Sequence, residues 1–518
     1  MARAAGLVSA LTLVSRVLGL LREQLFAALL GAGFYSDAYQ IAFRIPNLLR
    51  DLFAEGALSA AFVPTFTDYL TNRSRAQAYR LANLLMTLLA VTLGALVVLG
   101  VVMAHPLVGA LAPGFADYAG KTELCVRLTR IMLPFLPLVS FAAVAMGMLN
   151  AQERYGAPAT ASSMFNLVTI GAGVAFYVAG LPPVETVVGW SIAVLAGGAA
   201  QYLIQVPALV RAGWRYRPLL SVRDQGLRRI FRLMAPATVG LAAVQINIVV
   251  NSIFASRQQG AASWLNYAFR LLYLPIGVFG VAIGTIAATG LARRAAERDM
   301  PGLQRTLRQA LRLVGFLTIP STFGLIALGQ PIIRLLFEHG RFKPADTGPT
   351  AAALLYYSVG LFAYSAVKVL APAFYALERP RVPVLGSVAS VATNLVLNVA
   401  LYPVLEFRGV ALGTSLGAIV NCAILTVAFQ KTVGGVRGGG VGRALAKVTL
   451  AAAVMGALAF LTAAGLEHLV GTRGIVAKLL TCLVPIGVGI GVYAACARAL
   501  RLEEMDDILG LLRKRLRR

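Results

Sequence analysis

The chain has 518 residues, of which 58% are hydrophobic and 13% charged, and its formal net charge is +26. A mean hydropathy of +0.76 and so few charges exclude an ordinary soluble enzyme, because soluble domains carry about 25% charged residues. The basic excess does not indicate a nucleic-acid binder, since that function needs the basic residues on a folded soluble surface. Here they lie mostly in short segments between apolar runs. The composition therefore predicts an all-α polytopic membrane protein.

About fourteen segments are long and apolar enough to cross a membrane, which takes about 20 residues. In chain order these spans lie near residues 5–30, 36–62, 80–110, 122–149, 158–180, 185–210, 230–255, 263–291, 308–337, 350–377, 383–403, 408–430, 444–464 and 475–498. The first is predicted to be a transmembrane helix rather than a cleaved signal, because Arg16 interrupts its apolar run and no clean cleavage site follows.

The loops between the spans alternate in charge, and Lys and Arg accumulate on the cytoplasmic side of a membrane. One set of loops carries basic clusters within residues 73–80, 211–232, 293–312, 379–381 and 431–447. The alternate set holds only Lys121, Arg257, Arg341, Lys343, Arg408 and Arg473. This bias predicts an inner-membrane protein with both termini in the cytoplasm, where the basic loops contact anionic lipids.

A weak internal repeat divides the first twelve spans into two six-helix lobes. The segments "AQERYGAP" (151–158) and "ALERPRVP" (376–383) share one pattern, and "AFR" occurs at 42–44 and at 268–270 with nearly the same offset. Paired bundles of this kind place a substrate cavity at their interface and work by rocking about it. The predicted domains are an N-lobe at 1–211, an amphipathic cytoplasmic linker at 212–229, a C-lobe at 230–431, two extra helices at 432–500 and a basic cytoplasmic tail at 501–518. The linker and the tail mix basic with apolar residues, which favours interfacial helices.

The second span carries a row of charges, although a charge at a helix centre costs roughly 2.5–3.5 kcal/mol. Asp37, Arg44, Asp51 and Glu55 are spaced by seven, seven and four residues, which predicts one helix face. Such residues are cavity-lining or structural charges, and their alternating sign can neutralise the row. Arg50 points about 100° away from that face, and the pattern predicts no partner for it within its own helix.

Four arginines in the spans exceed the acids near them: Arg16, Arg22, Arg50 and Arg270. A guanidinium is always charged and forms bidentate bonds to phosphate oxygens. Several arginines within the membrane therefore predict an anionic ligand, for which a phospho- or diphospho-lipid headgroup fits best. The two extra helices are then expected to form a groove for the lipid tail.

Other chemistry finds little support in the sequence. The four cysteines and three histidines are scattered, so neither a metal site nor a disulfide framework is expected. The segment "GFADYAGKT" (114–122) has one residue too many between its glycines for a phosphate-binding loop. ATP hydrolysis is not expected, and the chain is predicted to be a transporter rather than an enzyme, without a cofactor.

Three segments resemble signature segments of the MurJ/MviN-type lipid II flippases, in the multidrug/oligosaccharidyl-lipid/polysaccharide exporter superfamily: "SRVLGLLRE" (15–23), "DAYQIAFRIPNLLRDLFAEGALSAAFVP" (37–64) and "GVFGVAIGTI" (277–286). The resemblance implies alternating access that moves lipid II, an undecaprenyl-diphosphate-linked disaccharide-peptide, to the outer leaflet for peptidoglycan synthesis and cell wall biogenesis. It also implies that Arg16, Arg22, Arg50 and Arg270 are the essential cavity arginines, with Asp37 as the first-cavity acid.

The chain departs from the family pattern at several positions. Asp51 stands where the family often has a second basic residue, and Phe269 where some members carry an acid. The acids of the sodium site described for some members are replaced by amides, which leaves a weak candidate cation site: Asn247, Asn251, Asn394 and Asn398. The driving force therefore stays open between a monovalent cation (Na⁺ or H⁺) and the membrane potential alone.

Three alternatives to a lipid II flippase follow from the same sequence. An exporter of another lipid-linked oligosaccharide or of drugs belongs to the same superfamily, but drug exporters usually have a more apolar cavity with one or two acids. A membrane-embedded transferase acting on polyprenyl phosphates needs clustered loop acids for Mg²⁺, which the sequence does not offer. A scaffold for the cell-wall synthesis machinery, which is also a candidate partner, needs no polar cavity.

Overall fold

The computed structural model describes residues 2–51, 57–221, 223–434 and 440–505, and every regular element in these ranges is helical. The α-helices in these ranges are α1 (Ala2–Leu30), α2 (Phe34–Arg50), α3 (Ala57–Asn72), α4 (Arg75–Val102), α5 (Ala104–Leu111), α6 (Lys121–Met132), α7 (Phe135–Asn150), α8 (Gly156–Val178), α9 (Pro183–Leu203), α10 (Val206–Arg211), α11 (Gln225–Ala255), α12 (Ala261–Pro275), α13 (Ala282–Ala296), α14 (Met300–Phe337), α15 (Pro344–Ser358), α16 (Leu361–Ala376), α17 (Arg381–Leu405), α18 (Phe407–Thr432), α19 (Val441–Val470) and α20 (Ile475–Ala499). A 3₁₀-helix at Pro113–Asp117 precedes α6, and a π-helical segment at Ile276–Val281 joins α12 to α13.

Each of the fourteen predicted spans coincides with one helix or with consecutive helices, which confirms the predicted fold class. The second, third, fourth, sixth, eighth and tenth spans are broken, and correspond to α2–α3, α4–α5, α6–α7, α9–α10, α12–α13 and α15–α16. Within the described residues, ten helices are long and apolar enough to cross a membrane, and the pair α15–α16, bent by 41°, makes eleven. The first two spans are not among these, and both carry intramembrane charges.

The chain forms two compact units, which differ from the predicted lobes. Unit 1 comprises Met1–Ser263 and His339–Phe342, and unit 2 comprises Trp264–Glu338 and Lys343–Arg518. Unit 1 thus includes α11, which the sequence assigns to the C-lobe. The reason is packing: α11 lies against α3, and its residues Leu227 and Ile230 join the apolar core of unit 1. The lobe boundaries drawn from the repeat stay a prediction.

Unit 1 is built by helix pairs that bury small and aromatic residues. Helix α1 packs on α8, α8 on α9, α2 on α6 and α4 on α7. Its core includes Phe62, Phe66, Leu85 and Trp214. Burial of each such side chain is worth about 1.5–3 kcal/mol in water; inside a membrane the gain comes from close packing instead.

The linker between α10 and α11 is extended where the sequence predicts an interfacial helix. Residues 214–221 have no helical turn, so the helix prediction is wrong there. Trp214 Nε1 donates to Asn83 Oδ1 (2.8 Å), and Asn83 Nδ2 donates to the carbonyl of Arg215 (3.1 Å). Pro218 supplies the physical reason, because a proline lacks the N–H a helix needs and disfavours helical geometry in the residue before it. Only residues 501–505 of the predicted basic tail are described.

Unit 2 is organised around α14, the longest of its helices within the described residues. Helix α14 packs against α13, α15, α16, α19 and α20, while α17 pairs with α18. The core of the unit includes Leu307, Leu370, Phe374 and Phe429.

Candidate functional site

Asp37 lies in the first turn of α2 at the centre of a fully buried polar cluster in unit 1. Its carboxylate accepts hydrogen bonds from Lys121 Nζ (2.9 Å), from the backbone amides of Gly260 (2.7 Å) and Ser263 (3.0 Å), and from Ser263 Oγ (2.7 Å). The side chains of Asp37 and Lys121 are both 0% exposed. Asp37 is therefore a structural charge that joins three segments, and it does not line an open cavity.

An aromatic box surrounds the cation that neutralises Asp37. Lys121 Nζ lies 4.4 Å from the ring centroid of Phe115, 4.8 Å from that of Tyr118 and 5.8 Å from that of Phe34. Cation–π contacts of this kind stabilise a desolvated ammonium. The sequence analysis counted Lys121 as a loop residue and missed its role. The available signal was the two aromatic residues just before it, in "GFADYAGK".

The predicted self-neutralising row on α2 is wrong, because its described members bond to other elements. Charges seven residues apart lie about 10.5 Å apart along a helix, too far for a direct ion pair. Arg44 instead donates to Ser252 Oγ on α11 (2.5 Å) and lies 3.5 Å from the carbonyl of Ile248. Glu55, the fourth predicted member, lies outside the described residues.

Arg50 bonds to the residue next to it, although the sequence predicts no partner within its helix. Its Nη2 lies 2.9 Å and its Nε 3.2 Å from Asp51 Oδ1. The Arg50 side chain is 26% exposed and that of Asp51 is 36% exposed. Gln245 Nε2 also lies 3.5 Å from Asp51 Oδ2. The prediction failed because a 100° separation at the backbone does not keep two flexible neighbouring side chains apart.

Arg22 on α1 shows the same arrangement. Its Nη2 donates to Glu23 Oε1 (2.7 Å), and its guanidinium lies 5.2 Å from the ring centroid of Phe165. Arg16, two turns earlier on α1, is exposed. Two of the four predicted arginines are thus each held by the acid that follows them in the sequence.

Arg270 lies on α12 in unit 2 and is exposed. Its Nε donates to Asn266 Oδ1, one turn earlier, at 3.2 Å. An amide oxygen is a neutral acceptor, so this bond leaves the full charge of the guanidinium uncompensated by Asn266.

The four amides of the candidate cation site lie on two helices. Asn394 and Asn398 on α17 are fully buried; Asn394 Nδ2 donates to Thr414 Oγ1 (3.1 Å) and Asn398 Nδ2 to Asn394 Oδ1 (3.2 Å). Asn247 and Asn251 are half-buried on α11. The Asn394–Asn398 pair satisfies part of its own hydrogen-bonding capacity.

Unit 2 contains an apolar groove of about 400 Å³ between α14, α19 and α20. The π-helical segment and the end of α12 complete its wall. It is lined by Pro275, Phe279, Phe316, Leu317, Pro320, Ser321, Gly324, Leu325, Leu328, Ile332, Met455, Ala459, Pro485, Ile486, Gly489, Ile490 and Tyr493. The two extra helices thus form a groove together with α14 rather than by themselves.

Comparisons with known proteins agree with these features. The profile of the family described as "Lipid II flippase MurJ" matches residues 26–484. A probable lipid II flippase MurJ of Vibrio cholerae serotype O1 is 38% identical over 432 residues, covering 81% of each chain. The lipid II flippase MurJ of Burkholderia cenocepacia is 35% identical over 429 residues, covering 82% of this chain and 83% of the relative.

Solved structures give the same picture. A lipid II flippase MurJ in an inward closed conformation superposes with a TM-score of 0.78 at 25% identity, covering 95% of this chain and 99% of that chain. An inward-facing multidrug resistance MATE family transporter superposes with a TM-score of 0.64 at 16% identity, covering 84% of this chain and 99% of that chain. The second likeness concerns the fold alone.

Proposed function

Because the chain belongs to the lipid II flippase MurJ family, we propose that it moves lipid II across the inner membrane to the outer leaflet for peptidoglycan synthesis. The chain is a multi-pass membrane transporter, and it acts by alternating access. Lipid II joins a polyprenyl tail to a large polar head through a diphosphate. The protein must therefore bind negative charge within the membrane and accommodate a long apolar chain.

The observation that carries the proposal for the site is the state of the intramembrane arginines. Arg22 and Arg50 are each paired with an adjacent carboxylate and keep part of their surface accessible, while Arg16 and Arg270 are exposed. A phosphate offers a guanidinium the same bidentate geometry as a carboxylate. The diphosphate therefore exchanges with Glu23 and Asp51 for the two guanidiniums, and the carboxylates take the arginines back when the substrate leaves.

This exchange keeps binding reversible. An arginine with no internal partner in a low-dielectric site would hold a diphosphate too strongly for release, because charge pairs strengthen as water is excluded. A neighbouring carboxylate lowers the net gain, so the substrate is bound and released in each cycle. Asp51, where the family often has a basic residue, is part of this device in our proposal.

The groove of unit 2 is proposed to hold part of the lipid tail. Its lining is almost entirely apolar, with Ser321 and the Tyr493 hydroxyl as the exceptions, and the Tyr493 hydroxyl is already bonded to the carbonyl of Phe316 (2.7 Å). Each methylene removed from water contributes about 0.8 kcal/mol, although a tail that moves from lipid into the groove gains mainly packing contacts.

The driving force is proposed to be the membrane potential or a monovalent cation, Na⁺ or H⁺, and not ATP hydrolysis by this chain. The amides of α11 and α17 are the candidate cation ligands. Both termini are placed in the cytoplasm, and the basic loops there bind anionic lipids and adjoin the cell-wall synthesis machinery. Transport that is unchanged by Na⁺ replacement but abolished by dissipating the potential assigns the work to the potential alone.

The site is tested by replacing Arg16, Arg22, Arg50 and Arg270 one at a time with Ala in cells depleted of their own flippase. Each variant is expected to reach the membrane but to lose growth support and the outward accessibility of lipid II in spheroplasts. Arg293→Ala is the control, because Arg293 is also an arginine, on α13, but is 79% exposed and paired with Glu297. Full function of all four variants overturns the site assignment; loss of function in the control makes the assay uninformative about the site and requires a milder variant, Arg→Lys, at each position.

A further inference from the structure

Unit 1 carries a second charged cleft, of about 430 Å³, between α5 and α6. It is lined by His105, Glu123, Val126, Arg127, Arg130 and Ile131. None of these residues belongs to the site described above. The charged residues of α6 are spaced by four and three, so they share one helix face, and all three are exposed while the residues between them are mostly buried.

The guanidiniums of this cleft are only partly engaged by the protein. Arg130 Nε donates to the carbonyl of Val101 at the end of α4 (3.2 Å). Among the described residues, no hydrogen bond or ion pair engages the side chain of Arg127, and Glu123 forms no ion pair despite its spacing. Two guanidiniums against one carboxylate leave the cleft with a net positive charge.

Helix lengths place the cleft at a membrane surface. Twenty-one residues separate Arg80, the last charge at the start of α4, from Val101, and twenty separate Arg130 from Asn150 at the end of α7. At 1.5 Å per residue each distance is about 30 Å, the thickness of the hydrocarbon core. Two independent helix runs thus bring Arg130 to the level where lipid phosphates begin, on the face that the loop charges predict to be outer.

The surface beside the cleft is apolar and exposed. The last turn of α4, which also offers its carbonyl to Arg130, presents Val98 (66% exposed), Leu99 (57%) and Val102 (61%). A site for a soluble anion has no need of such a surface. A lipid needs both parts, a phosphate contact and a wall for its acyl chains.

We propose that this cleft binds an anionic phospholipid of the outer leaflet. Its phosphodiester is held by Arg127 and Arg130, since guanidinium–phosphate bonds are charge-assisted and bidentate. Its acyl chains lie along Val98, Leu99 and Val102. A headgroup without a cation, such as the glycerol of phosphatidylglycerol, suits the excess of arginine and can donate its hydroxyls to Glu123.

The test uses the full-length protein in nanodiscs that contain equal amounts of phosphatidylglycerol, phosphatidylethanolamine and phosphatidylcholine. Lipids that stay bound are identified by native mass spectrometry. The wild type is expected to retain phosphatidylglycerol preferentially, and Arg127→Gln/Arg130→Gln to lower that preference about fivefold for each arginine. Lys343→Gln/Arg473→Gln is the control, because it removes the same charge from exposed residues on the same predicted face.

A second variant and a competitor separate the remaining readings. Arg127→Gln alone removes no bond within the described protein, so a loss of preference in this variant cannot come from a broken contact to Val101. Unchanged preference in both variants, or an equal loss in the control, overturns the proposal. Displacement of the lipid by inorganic phosphate makes the cleft a soluble-anion site, and a preference for phosphatidylethanolamine that Glu123→Gln abolishes makes it a site for a zwitterionic lipid; either result also overturns it.

Discussion

Helix α2 carries two acid–base pairs that have the same length and opposite surroundings. Asp37 Oδ2 lies 2.9 Å from Lys121 Nζ, and Asp51 Oδ1 lies 2.9 Å from Arg50 Nη2. The first pair is completely buried and its carboxylate accepts three further hydrogen bonds. The second pair is a quarter to a third exposed. Distance alone therefore does not separate a structural charge from a binding charge in this membrane protein.

The difference lies in what each pair loses when a partner leaves. Removing one member of a buried pair leaves an uncompensated charge and costs about 3–5 kcal/mol. A partly exposed pair is worth about 0–1 kcal/mol, because water or another anion can replace the partner. The Asp37 cluster is thus built to persist, whereas the Arg50–Asp51 pair is built to exchange.

The largest expected effect is on the buried pair. Lys121→Ala leaves the Asp37 carboxylate buried beside backbone amides and aromatic rings, and is expected to destabilise the protein by about 3–5 kcal/mol. The measurement is the unfolding temperature in detergent, together with the amount of protein in the membrane. The double variant Asp37→Asn/Lys121→Met is expected to be more stable than Lys121→Ala, because it removes both charges. If the double variant is the less stable of the two, the charges are not coupled as the structure indicates.

Arg50 is expected to give the reverse result: a large change in transport and a small one in stability. Arg50→Ala removes a charge-assisted phosphate contact worth about 1.5–3 kcal/mol, so transport should fall roughly tenfold to a hundredfold, while stability changes by about 1 kcal/mol or less. Arg50→Lys keeps the charge but not the bidentate geometry and should retain an intermediate activity. A lysine variant as active as the wild type would show that charge alone is sufficient there.

Asp51→Asn sharpens the comparison in the other direction. Without its carboxylate partner, Arg50 should bind a lipid diphosphate more tightly, by roughly fivefold, and release it more slowly. Binding is measured on the purified protein and turnover in spheroplasts. Asp68→Asn is the matched control, since Asp68 is likewise 36% exposed and paired with an arginine, Arg229 at 2.8 Å, but lies near the end of α3. Weaker diphosphate binding by Asp51→Asn than by the wild type would contradict the exchange.

The fold could be predicted from the sequence because a bilayer leaves few choices. Every span must satisfy its backbone hydrogen bonds internally, so apolar length is enough to place helices such as α8 and α18 within a few residues. The extended linker at 214–221 was the exception. Pro218 was visible, but the bonds of Trp214 and Asn83 that hold the segment along α4 join residues about 130 positions apart, and no local pattern shows them.

The site was predicted only in part, for a related reason. A helical wheel compares residues of one helix, and it placed Asp37, Arg44 and Asp51 on one face. Their partners come from elsewhere: Lys121 and Ser263 for Asp37, and Ser252 for Arg44. The arginines themselves could be chosen from the sequence because their excess over acid is a local property. Which of them is buried, exchanged or exposed is a property of the packing.

The smallest expected effect concerns the groove of unit 2, where no charge is involved. Gly324 on α14 lines the groove, and a Cβ there would have only Met455 nearby, at 3.9 Å. Gly324→Leu should therefore fill the groove without straining the fold, and lower the affinity for a long-tailed substrate by about 1 kcal/mol, roughly fivefold, while a short-tailed analogue binds as before. Gly487→Leu on α20 is the control, because no atom lies within 4 Å of its Cβ position and it does not line the groove. An equal loss for long and short tails would place the tail elsewhere and leave the arginines as the main determinant of binding.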